Sequence, residues 1–146
     1  MLKLNPYLNF LGNTEEVFDF YKSIFGGEFT ALQRFRDVKD LENKDKMSKD
    51  DLKKIMHISL KIGDNVLMGT DVIESLGQPL RKGNNISLSL NVDSRIEADR
   101  LFNALKEGGK EEMPMMDVFW GSYFGMVDDK YGIKWMIEFS NHEESE

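Results

Sequence analysis

At 146 residues, with 40% hydrophobic and 11% aromatic side chains, the chain has enough apolar material for one domain or two small packed modules. Its formal net charge of −7, with lysines scattered among acids, provides no field to gather phosphate backbones, so nucleic acid is not expected as a partner. The absence of cysteine excludes disulfides, thiolate metal sites and a cysteine nucleophile, and no apolar run approaches the roughly 18 residues that a membrane-spanning helix needs.

In chain order, the opening "MLKLNPYLNFLGN" has no apolar leader core, which makes a cytoplasmic protein the expectation, and Leu4 to Phe10 reads as a strand. Asn13, with Glu16 three residues on, predicts a capped helix whose apolar positions Val17, Phe18, Phe20, Tyr21, Ile24 and Phe25 recur at helical spacing. Gly26 ends that helix, and Glu28 to Arg36 follows as a strand. The charged stretch Asp37 to Lys54 predicts a solvated loop with a short helix capped at Ser48. "KIMHISLKIGD" then turns into "NVLMGTD" as a hairpin, and Val72 to Asn84 carries Gly77, Pro79 and Gly83 as linker punctuation.

The same order returns. Ile86 to Val92 alternates as a strand, Ser94 and Glu97 form a second capping box, and a helix buries Ala98, Leu101, Phe102 and Leu105 before Gly108-Gly109. Met113-Pro114-Met115-Met116 reads as a sixth strand or an edge segment restrained by Pro114. "SYFGMVDD" turns into "GIKWMIEF" through Asp128-Asp129-Lys130-Tyr131-Gly132, where the acids suit a turn. "YLNF" answers "LSLNV" and Gly26-Gly27 answers Gly108-Gly109 at a shift of about 82 residues, the signature of an internal duplication. The expected organisation is a first βαβββ module over residues 1–75 with its charged insert at 37–54, a linker at 76–84, a second module at 85–140 and a disordered acidic tail at 141–146. The fold class is α+β, with eight strands forming an open, barrel-like cavity, because a sheet covered by one helix leaves its other face to be used.

With "DFYKSIFGGE" early, "IMHISLKIGDNVLM" in the middle and "FWGSYFGMVDDKYGIKWMI" late, the chain resembles the vicinal oxygen chelate superfamily of glyoxalases, bleomycin-resistance proteins and extradiol dioxygenases, and within it the PhnB-like branch. That branch is often described as 3-demethylubiquinone methyltransferase-like. The usual Gly-rich turn for S-adenosylmethionine is missing, since no G-x-G-x-G occurs. The resemblance implies four metal-ligand positions, which fall on Asn5, Met68, Ser87 and Met136. These donors carry no charge and two are soft thioethers, so no metal and no cofactor is expected there.

Two function classes follow. One is a bleomycin-resistance-type protein that binds a small, largely apolar or aromatic molecule; the other is a glyoxalase- or dioxygenase-like lyase or isomerase using an unrecognised metal site or His57 as a base. The candidate ligand-binding residues are Tyr7, Met68, Phe119, Trp120, Tyr123 and Met136, and a homodimer is expected from the superfamily and from exposed sheet edges. Strand alternation groups His57 with Ser59 and Lys61, and sets Trp135 and Met136 on opposite faces, without saying which face is used.

Overall fold

A computed structural model describes residues 1–77 and 79–140; the expected acidic tail lies outside the described residues. The chain divides into two compact units, Met1–Arg81 and Lys82–Glu146.

The first unit runs β1 (Tyr7–Phe10), α1 (Thr14–Phe25), β2 (Glu28–Arg34), the short α2 (Lys49–Lys53), β3 (Ile55–Ile62) and β4 (Asn65–Asp71). The second runs β5 (Leu88–Asn91), α3 (Arg95–Lys106), β6 (Lys110–Asp117), β7 (Ser122–Asp128) and β8 (Lys134–Ser140). Each unit holds one four-stranded sheet, ordered β1-β4-β3-β2 and β5-β8-β7-β6. In both, the first strand pairs in parallel with the fourth and all other neighbours are antiparallel, so the duplication read from spacing is also a duplication of topology. The fold is α+β, with two mixed sheets.

Each helix closes one face of its own sheet. α1 buries Val17, Phe18, Tyr21 and Ile24, and α3 buries Ala98, Leu101, Phe102 and Leu105, against Ile58, Leu60 and Leu67 in the first unit and Val127, Trp135 and Ile137 in the second. A fully buried side chain of this size contributes about 1.5–3 kcal/mol.

Several boundaries differ from the sequence reading. β1 starts at Tyr7 and not Leu4, directly after Pro6, which has no N–H to donate to a ladder and contributes only its carbonyl, to Met68 N. β2 stops at Arg34, whose own N–H is taken by the Asp37 carboxylate as the chain turns through a 3-10 segment at Phe35–Asp37. β5 is confined to Leu88–Asn91, and Ile86 is exposed. β6 pairs with β7 along the edge of its sheet, with register shifts on both sides of Met113. Asn13 makes no side-chain cap. The cap of α1 comes from the end of β4, where Asp71 accepts from Gly12 N and Thr14 N. Ser48 and Ser94 do cap their helices, accepting from Asp51 N and Glu97 N.

Candidate functional site

Alternation becomes an assignment of faces once the helix contacts are known. In the first unit a Cβ on Gly69 would sit 2.6 Å from Phe18, so Gly69, Leu67 and Asp71 look toward α1, together with their partners Ile58 and Leu60. Met68 and Thr70 therefore lie on the opposite face. Tyr7, the register partner of Met68, and Asn9, the partner of Thr70, share it, as do His57 and Ser59.

Two of the candidates meet there. The Tyr7 hydroxyl lies 3.1 Å from His57 Nδ1 and the rings stack at 5.7 Å and 30°, although β4 runs between their two strands. Burial raises the Tyr7 pKa. Which of the two groups donates follows the His57 tautomer: with the proton on Nε2, Nδ1 accepts from the phenol. Beside the pair, Thr30 Oγ1 lies 3.0 Å from Ser59 Oγ. The face thus presents a phenol backed by a base, with hydroxyls and a thioether around it.

In the second unit a Cβ on Gly125 would sit 3.0 Å from Phe102, which turns Gly125, its partner Ile137, Val127 and Trp135 toward α3. Phe124, Met126, Met136 and Glu138 take the other face, with Ser89 beside Met136 in the parallel ladder. Trp120 packs edge-on against Phe124 at 5.8 Å, and its indole Nε1 points at Glu138 Oε2, 3.4 Å away. Phe119 stands edge-on to Trp120 at 4.9 Å and is almost wholly exposed. Trp120 is 48% exposed and Trp135 only 3%, its indole N–H donating to Asp129 Oδ2 at 2.8 Å.

Phe119, Trp120 and Met136 are therefore brought to one face of the second sheet, and Tyr7, His57 and Met68 to one face of the first. Tyr123 is not among them. It looks toward α3, where its hydroxyl donates to Asp99 Oδ1 at 2.6 Å and the Arg95 guanidinium lies 4.2 Å over its ring. That Asp99 bond, with burial behind it, raises the Tyr123 pKa. Asp129 accepts from Tyr131 N, Ile133 N and the Trp135 indole, which makes it the organiser of its turn. Arg34 pairs with Glu15 through both of its terminal nitrogens and with the Lys53 carbonyl, tying α1 to β2 and to the charged insert. Sequence reasoning missed Glu138, although its spacing of two from Met136 places it on the same strand face.

The superfamily's metal positions can be tested against the donors present. The parallel ladders set Tyr7 beside Met68 and Ser89 beside Met136, while Asn5 and Ser87 precede their strands. By either pairing the set consists of thioethers with amide, phenol or hydroxyl oxygens, and it does not fit a hard dication, which needs carboxylate or imidazole to offset its charge. Among the described residues no three His, Cys, Asp or Glu side chains cluster as a metal site.

Residues 2–138 match the family model described as 3-demethylubiquinone-9 3-methyltransferase. Protein PA1353 from Pseudomonas aeruginosa is 39% identical, with a TM-score of 0.83 over 96% of this chain and 98% of that one. A putative 3-demethylubiquinone-9 3-methyltransferase, PhnB protein, from Bacillus cereus is 22% identical, with a TM-score of 0.75 over 95% of this chain and 100% of the other. A glyoxalase-related enzyme from Fulvimarina pelagi is 19% identical, with a TM-score of 0.64 over 96% and 89%. The last two likenesses establish the glyoxalase and bleomycin-resistance type of fold. S-adenosylmethionine, the methyl donor that the model's description implies, does not fit the strand-to-helix turns where such a cofactor is usually cradled. At α1 the terminal amides are taken by the Asp71 carboxylate, and at α3 the Ser94 hydroxyl takes Glu97 N.

Proposed function

This chain belongs to the 3-demethylubiquinone-9 3-methyltransferase family, and from that premise we propose that it is a PhnB-like protein of bleomycin-resistance type, holding a small, largely apolar or aromatic molecule without a metal ion and without methyl transfer. The observation that carries this reading is the half-exposed Trp120 braced on Phe124 beside Phe119, on the sheet face that also holds Met126 and Met136. Aromatic rings supply flat apolar area, and thioethers adapt to an irregular ligand outline. A homodimer belongs to the same proposal, since among the described residues each sheet ends in two edge strands, β1 and β2 in the first and β5 and β6 in the second.

Trp120 is the natural reporter, because Trp135 is buried toward α3. Titration with the neutral probe N-phenyl-1-naphthylamine is expected to quench or shift the tryptophan emission, and Trp120→Phe is expected to remove that response and weaken binding by about tenfold. An unchanged response in Trp120→Phe would refute the aromatic-wall assignment. Elemental analysis of protein purified without chelator is expected to find no stoichiometric Mn, Fe, Co, Ni or Zn. A tightly held ion whose removal lowers the melting temperature would overturn the metal-free reading.

The contact between Tyr7 and His57 favours one second reading, an acid–base enzyme of lyase or isomerase type. In that case His57 does not act alone. With Nδ1 facing the phenol, Tyr7 Oη is the group that gives or takes a substrate proton, and His57 replaces or removes the proton behind it. 15N NMR of the imidazoles is expected to show His57 in the Nε2–H form, and Tyr7→Phe is expected to shift that tautomer balance. Identical spectra would mean that the pair does not hold in solution and would retire this reading.

A further inference from the structure

We propose that the ligand of the Trp120 face is an organic cation, a planar or compact molecule carrying an ammonium or protonated ring nitrogen that Glu138 receives. This inference rests on the binding reading above and adds the ligand's charge to it.

Glu138 is, among the described residues, a carboxylate without a countercharge. Among the described residues it takes part in no ion pair, and its hydrogen-bond partner is the neutral indole of Trp120, at the long distance of 3.4 Å. Among the described residues of β8, the cation on its own face is Lys134, about 13 Å back along the strand at the ordinary strand rise. That ammonium is held by Asp128 at 2.9 Å and by Glu112 at 3.4 Å, and the Asp128 bond raises its pKa. Across the sheet, Glu138 faces Phe124 on one side and Asn91 on the other, neither of which carries charge.

The surroundings match a cation in a second, independent way. Phe119 and Trp120 meet edge to face, which leaves π-surface open to a ligand, and such a surface attracts a cation within about 6 Å of a ring centroid. A carboxylate adjoining open aromatic rings therefore offers two attractions of the same sign to a positively charged ring and repels an anion. The chain's net charge of −7 adds a long-range attraction in the same direction. Thioethers at Met116, Met126 and Met136 line the same face and suit the apolar remainder of such a molecule.

Three fluorescent probes of similar size separate the possibilities. They are a cationic styrylpyridinium dye, neutral N-phenyl-1-naphthylamine and anionic 8-anilinonaphthalene sulfonate. The cation is expected to bind about tenfold or more tightly than the anion at low salt, with the gap narrowing as ionic strength rises. Glu138→Gln is expected to weaken the cation about tenfold while changing the neutral probe less than about twofold. If the neutral probe binds through Trp120 but Glu138→Gln leaves the cation unaffected, or weakens all three probes alike, Glu138 only positions the indole and the cation inference fails while the binding reading stands. If no probe elicits a Trp120 response, the binding reading itself fails and the cation inference goes with it.

Discussion

Asp71→Ala is expected to destabilise the first unit by about 3 kcal/mol or more, because it strips several buried donors of their shared acceptor. The side chain is 2% exposed. One carboxylate oxygen accepts from Gly12 N at 2.9 Å, Thr14 N at 3.0 Å and Thr14 Oγ1 at 2.6 Å, and the other accepts from Ile55 N at 2.8 Å. One residue at the end of β4 thus caps α1, fixes the turn after β1 and receives the first amide of β3. Alanine would leave three main-chain donors and a hydroxyl without this acceptor in a largely buried site, where each unsatisfied group costs about 1–3 kcal/mol and the costs do not add in full. Thr14→Val removes a single member of the set and should cost about 1 kcal/mol. Urea unfolding followed by far-UV circular dichroism measures both, and for a unit of this size each kcal/mol should appear as roughly 4–8 °C in melting temperature. A loss for Asp71→Ala no larger than that for Thr14→Val would show that the carboxylate is not the hub of this junction.

That junction also marks where local reading stops. Helices and strands were legible because their periods are local: Val17, Phe18, Tyr21 and Ile24 recur at helical spacing and all are buried, and the duplicated order predicted two strand-helix-three-strand units, though not which strands pair in parallel. The cap of α1 was not legible. Asn13 and Glu16 satisfy the local capping pattern, while the group that binds the helix amides lies 57 residues away in sequence. The site divides in the same manner. Alternation grouped His57 with Ser59 and separated Trp135 from Met136, but only the packing of Phe18 on Gly69 and Phe102 on Gly125 tells which group looks away from the helix. Tyr7 meets His57 across 50 residues, and Trp120 meets Glu138 across 18. Contacts of that span depend on strand order, which a period cannot supply. Tyr123 was drawn into the aromatic candidates by adjacency to Trp120, yet a single step along a strand reverses the face, and α3 holds it through Asp99.

The paired glycines give a second expected loss of several kcal/mol, and they separate two reasons for a glycine that the sequence could not tell apart. Gly26 and Gly27 both adopt left-handed φ values, 75° and 79°. A Cβ at Gly26 meets nothing within 4 Å, so Gly26→Ala should cost only the conformational strain, about 1 kcal/mol. A Cβ at Gly27 would lie 2.1 Å from the main-chain oxygen of Lys61, at the point where β2 begins its pairing with β3. Main chain in a ladder cannot rotate aside as a side chain can, so Gly27→Ala adds forced separation of two strands to the strain and should cost about 3 kcal/mol or more. The second unit repeats the arrangement at the shift of 82. Gly108 carries the left-handed φ, and a Cβ on Gly109 would lie 2.2 Å from the Asp128 main-chain oxygen, opposite the start of β6. Gly109 needs no positive φ, so Gly109→Ala should cost about 2–3 kcal/mol by the clash alone. Denaturant midpoints for the four alanine variants should therefore fall furthest for Gly27 and Gly109 and least for Gly26. Equal losses across the four would mean that backbone conformation alone selects these glycines, and that close approach of helix end to strand is not what both copies of the unit have kept.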